Sequence, residues 1–320
     1  MLRTAHVWTL PLLLVALAAE DSHAAAAARE RPQIEYRLGR IRIFYATDGL
    51  HAVDPTDVDH SGRPDQVEDI AKQTWAAYAL FVETLGFPDP FTSERFSSAA
   101  FLDVHLLDKS VLKSNGVAYD ELQRFRRPSD PEGTQVLCFN VATSIKAPAN
   151  LTPAHEFFHI IQYGATYFKN AWYSEGTARW SERALGAGAL GQVRYTGPWP
   201  PSETHLSQVF QSSYAAALDF WNPLAAIDDP QGDLPADRIR PELKRLTYST
   251  GAPVLQDGRL QGWAFIRDLL VELGKVDDVA YRELGYTRWS EANQNAKENN
   301  PYIYQAVLRT ARHRAHQFAQ

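Results

Sequence analysis

The apolar segments of this 320-residue chain change character near residue 150, and that change limits the folds open to it. Before it they are short and rich in branched or aromatic side chains. Arg40 to Ala46 alternates polar and apolar residues, as a half-buried strand does, and Ala99–Leu107 and Gln135–Val141 also read as strands. One helix interrupts them: Val67, Ile70, Ala71, Trp75, Tyr78, Leu80 and Val82 keep a helical stripe that Gly86 closes. After residue 150 the pattern is helical. Thr152 as N-cap and Pro153 at the first position open a helix through Tyr163, and Ser174 caps a second one to about Leu185. Further helices are expected over Ser212–Trp221, Gly262–Leu273 and Tyr302–Phe318, with loops over 186–205 and 222–260. Strands followed by helices describe an α+β fold with segregated halves, about 36–150 and 151–320.

Composition narrows the partners. The chain is 45% hydrophobic with a net charge of −6 and has no basic domain, which excludes a phosphate-driven nucleic-acid binder. Arg3 precedes an apolar run from Leu10 to Ala19 and Ala-rich sequence, the pattern of a secretory signal peptide cut after Ala18 or Ala24. The alternative, an uncleaved anchor, meets a run too short for a bilayer core of roughly 30 Å. A mature protein would then begin with a mobile stretch over 25–35. Cys138 is the only cysteine, so no intramolecular disulfide forms, and it reads as a small buried hydrophobe.

The chemistry concentrates at His155-Glu156-Phe157-Phe158-His159. Residues four apart on a helix share a face, so both imidazoles can reach one Zn²⁺ at about 2.0–2.1 Å. Glu156 then lies beside an attacking water, with Phe157 and Phe158 turned to the core. A catalytic zinc needs a third protein ligand. Glu175, within Trp172-Tyr173-Ser174-Glu175-Gly176-Thr177-Ala178-Arg179-Trp180, fits a helix–loop–helix return, with Glu182 as the alternative. Tyr195, His205 and Tyr214 are candidates to steady an oxyanion. Tyr214 is preferred because an Ala-rich helix follows it.

Together these motifs resemble the gluzincin branch of the zincin metallopeptidases. They are similar above all to secreted bacterial metalloproteases that pair such a site with an Asp-rich loop, over roughly residues 36–220. The resemblance implies zinc on His155, His159 and Glu175, Glu156 as the base, and a cleft between a strand-rich and a helical half. The amine-binding Gly-x-Met-Glu-Asn motif of the large zinc aminopeptidases cannot occur, because the only methionine is Met1. That favours an endopeptidase, or another specificity than aminopeptidase action, on peptide or protein substrates bound along an edge strand at Phe101–Leu107 or Val136–Asn140.

A second metal signal lies upstream. Asp57, Asp59, Ser61, Asp65 and Glu68 occupy positions 1, 3, 5, 9 and 12 of an EF-hand-like loop, with Gly62 at position 6 and the Arg63 carbonyl at position 7. A structural Ca²⁺ there would staple a loop that no disulfide holds. The rival to a secreted peptidase is a secreted, calcium-stabilised binding or surface protein with a structural or vestigial zinc site.

Overall fold

The computed structural model describes residues 31–318. The expected signal peptide and residues 25–30 lie outside the described residues. Five strands, β1 (Ile34–Leu38), β2 (Ile41–Tyr45), β3 (Ala99–Leu107), β4 (Gly116–Ala118) and β5 (Gln135–Ala142), form one mixed sheet in the order β1-β2-β3-β5-β4. β2, β3 and β5 run parallel, and the outer strands β1 and β4 pair antiparallel to their neighbours. The helices are α1 (Asp65–Tyr78), α2 (Lys109–Leu112), α3 (Thr152–Ala165), α4 (Ala171–Ser181), α5 (Glu203–Phe210), α6 (Asn222–Asp228), α7 (Pro241–Arg245), α8 (Trp263–Glu283), α9 (Glu291–Gln294) and α10 (Asn300–Phe318). The architecture is α+β, and no helix among the described residues is long and apolar enough to cross a membrane.

Alternation sorts the central strands. Ile43, Leu102, Val104, Leu106, Leu137, Phe139 and Val141 join the core that α1 and α3 cover. On the opposite parity Arg42, Asp103, His105 and Asn140 are buried too. Arg42 bonds Asp103 at 2.7 Å and Asp130 at 2.7 Å, and Arg127 lies 2.8 Å from His105 Nε2, so charges face partners instead of bare hydrocarbon. Cys138 shares this layer fully buried, and burial pushes its thiol pKa up, as expected of an inert side chain.

Several expectations need correction. Ile34 and Glu35 belong to β1, so the N-terminal stretch is ordered from there. The proposed edge strands are central: β3 lies between β2 and β5, and β5 between β3 and β4, so each is paired on both sides. The strand at the edge on that side is β4, too short to be read from sequence. Thr152 is not the cap but the first helical residue. Asn150 Oδ1 accepts from its amide at 2.8 Å and its hydroxyl at 2.6 Å. Ser174 lies inside α4, where its hydroxyl donates to the Lys169 carbonyl at 3.2 Å, and Glu175 therefore stands beyond the first turn. The helix expected over 212–221 is a π-helical turn, Ala217–Trp221, after a break that carries Tyr214, while α5, α6 and α7 occupy parts of the expected loops.

Candidate metal centre

Three packing contacts fix where α3 points its first turn. Gln73 of α1 accepts from the Ala154 amide at 3.3 Å and donates to the Asn150 carbonyl at 3.2 Å, gripping the helix start. Phe157 meets Tyr78, and Phe158 packs edge-on against Phe81, Phe87 and Trp180, so the far side of the helix is seated in the core. At the other end, Asp277 of α8 accepts from the Thr166 hydroxyl and the Tyr167 amide, at 2.9 and 2.8 Å. That contact fastens the turn into α4. Gly176 is needed on α4 because a Cβ there would overlap the Trp221 indole.

The return brings three donor atoms together. His155 Nε2 lies 3.2 Å from His159 Nε2 and 3.2 Å from Glu175 Oε2, and His159 Nε2 lies 3.5 Å from the same oxygen. Three tetrahedral ligands at 2.0–2.1 Å from a common ion sit about 3.3–3.4 Å apart, which matches this triangle. The far ring nitrogens are also fixed. His155 Nδ1 meets Glu182 Oε1 at 2.9 Å, and a carboxylate can only accept, so that nitrogen carries the proton. His159 Nδ1 meets Gln162 Oε1 at 2.7 Å. The Gln162 amide orientation follows from its Nε2, which donates to the Ser174 carbonyl at 2.9 Å and to Thr177 Oγ1 at 2.6 Å. Thr177 spends its own hydroxyl proton on the Tyr173 carbonyl, leaving Oγ1 to accept. Both Nε2 lone pairs therefore face the Glu175 carboxylate across a gap that only a cation or added protons can fill. The donor set, two imidazoles and one carboxylate, suits zinc.

The carboxylates around the rings also favour a charged imidazole. Burial disfavours a charged His155, but the hydrogen bonds its ring nitrogens donate to Glu175 and Glu182 more than offset it and push its pKa up to about 10. Burial alone would raise Glu175, yet the two imidazoles hold it well below the usual carboxylate range. Glu156 points elsewhere. Burial raises its pKa against the pull of His159 and His155, and it accepts a hydrogen bond from the Ala118 amide of β4. A Cβ on Gly116 would overlap the Glu156 carboxylate, so the edge strand approaches it closely only because that residue is glycine.

His155 and Glu156 border a cleft of about 570 Å³ also lined by Ser114, Gly116, Arg179, Glu182 and Tyr214 among others. Of the three oxyanion candidates, the fold brings only Tyr214 here. Its ring centroid is 5.7 Å from that of His155, and burial together with the nearby Glu175 charge pushes its hydroxyl pKa up. Tyr195 and His205 stack on each other at 4.0 Å and spend their polar atoms on the Pro198 and Asp219 carbonyls. Glu182, the alternative ligand, stands behind His155 instead of beside Glu175. Tyr163, which stacks on His159 at 5.7 Å, was missed, although its spacing of four from His159 puts it on the same helix face.

The Asp-rich loop converges less completely. Oxygens of Asp57, Asp59 and Asp65 lie within 4.8 Å of one another. Asp57 accepts from the Ser61 and Gly62 amides at 3.0 and 2.9 Å, Asp59 from Ser61 at 3.0 Å, and Asp65 from Val58 at 3.2 Å. Left-handed backbone at His60 and Gly62 makes the turn. Glu68 does not join the three aspartates. Its carboxylate faces Arg63 at 3.6 Å and Lys72 at 3.9 Å. No protein-family model matches this chain, and no curated protein or solved structure matches it significantly.

Proposed function

We propose that this protein is a secreted zinc-dependent metallopeptidase of zincin architecture. The observation that carries the reading is the triangle of His155, His159 and Glu175, with both Nε2 lone pairs turned inward by the acceptors behind the rings. Zn²⁺ held by these three residues would supply Lewis acidity toward a carbonyl and toward water. Glu156, its pKa raised by burial, takes the proton of the attacking water and returns it to the leaving amine. Tyr214 donates to the oxygen that becomes negative in the transition state. The substrate lies extended beside β4, whose Gly116 lines the cleft, so its backbone pairs with the sheet edge. Ca²⁺ on the Asp57–Asp65 loop has a structural part, pinning the entry to α1.

Metal analysis of the purified protein, followed by peptide-library cleavage with and without a chelator, tests the reading. Glu156→Gln should keep a full zinc complement and lower turnover by about 10²–10⁴-fold, the usual worth of a positioned acid–base group. Retained turnover in that variant would overturn the assigned base. A full zinc complement with no cleavage of any peptide would leave the rival, a calcium-stabilised binding protein.

A further inference from the structure

We infer that Arg179 anchors a substrate carboxylate in the cleft, so that the enzyme prefers peptides with an acidic group one or two residues from the bond it cuts. The inference rests on the peptidase reading. Among the described residues Arg179 is the only lysine or arginine lining the cleft, and it is exposed. It stands four residues after Glu175 and three before Glu182, spacings at which a helix normally forms ion pairs. Neither carboxylate takes it. Glu175 is turned to His155 and His159, and Glu182 to His155 Nδ1. Among the described residues its guanidinium has no ion pair or hydrogen bond. A cation left unpaired beside two occupied carboxylates is free to bind an anion from outside.

Geometry limits where that anion sits. Four residues of helix advance about 6 Å, so Arg179 emerges one turn along α4 from the metal ligand. An extended peptide advances about 3.3–3.6 Å per residue. A carboxylate gripped there belongs to a residue one or two positions from the reacting carbonyl. It comes either from an Asp or Glu side chain or from a free C-terminus. Either one fits the planar guanidinium bidentately, which a lysine could not reproduce.

Matched peptides separate the two sources: Glu against Gln at each position flanking the cut, and free acid against amide at the C-terminus. Wild-type protein should favour the carboxylate in one of the two series by 10–100-fold in kcat/KM, the range expected of a charge-assisted bidentate contact. In Arg179→Gln that ratio should fall toward one, and Arg179→Glu should invert it toward lysine-containing peptides, with zinc content unchanged in both. A carboxylate preference that survives Arg179→Gln, or no preference in wild type, overturns the inference while leaving the peptidase reading intact. A second readout avoids turnover: zinc-loaded Glu156→Gln should bind the preferred peptide at least 10-fold more tightly than its amide twin, by calorimetry. Equal binding of the twins counts against Arg179. Preferential binding with no hydrolysis by wild type upholds the anchor and overturns the peptidase reading instead.

Discussion

The two metal-type sites are built in opposite ways. The His155–His159–Glu175 site draws ligands from two helices, and both imidazoles are almost fully buried. Each ring is held from behind, His159 by Gln162 on the same helix and His155 by Glu182 just past the end of α4. The Asp57–Asp65 loop collects its oxygens from nine consecutive residues, and its aspartates accept mainly from amides of the loop itself. The first site takes its geometry from the packing of the whole molecule, whereas the second takes it from local turns. Chemistry needs the first kind, because a reacting group misplaced by an ångström loses much of its advantage. The proposed calcium staple would need only the second.

That contrast can be broken most sharply at Glu182. If the acceptors behind the rings set the geometry, Glu182→Ala should weaken zinc affinity about 10–100-fold in chelator competition. Unchanged affinity would mean that helix packing alone suffices. A smaller effect is expected at Asp277, which ties α8 to the α3–α4 turn. Burial raises its pKa to about 6, against hydrogen bonds from Tyr167 and Thr166 that pull it down. The folded state therefore holds a proton that the unfolded chain, with a carboxyl near 3.8, releases between about pH 4 and 6. Stability falls as pH rises through that window and stays lower above it. Asp277→Asn should remove a penalty of about 2 kcal/mol above pH 7 and flatten the profile, as read by denaturant unfolding at pH 4.5 and 7.5. A variant less stable than wild type at pH 7.5 would show that the charge itself is needed. The smallest effect belongs to the loop. With a dissociation constant of 10⁻⁴–10⁻³ M, 1 mM Ca²⁺ should stabilise the protein by about 0.5–1.5 kcal/mol. Asp59→Asn should abolish that gain in a thermal melt without altering zinc content. Loss of zinc in that variant would join the two sites.

Much of this was readable in the sequence, for identifiable reasons. The sharing of one face by His155 and His159 follows from helical periodicity, and β3 and β5 are legible as strands from their short, branched apolar runs. Glu175 follows from a helix–loop–helix return, although the helix start expected at Ser174 is wrong: Asn170 precedes the helix and Ser174 lies within it. The edge of the sheet was misassigned because strand order depends on which hydrophobic faces meet, and the three residues of β4 carry too little pattern to signal a strand. Glu182 looked like a spare ligand because its chemistry is that of a ligand. Only its place behind His155 distinguishes the two roles.

The chain by itself determined which residues lie one helical turn apart, which strands alternate, and which side chains have lone pairs or charges to offer. These follow from covalent geometry repeated every few residues. The tertiary structure decided which of those groups face one another: Glu175 in front of the imidazoles, Glu182 and Gln162 behind them, Tyr214 rather than Tyr195 or His205 at the cleft, and Arg179 beside it with no ion-pair partner among the described residues. Distances between elements are set by how whole surfaces pack, and no local repeat encodes them.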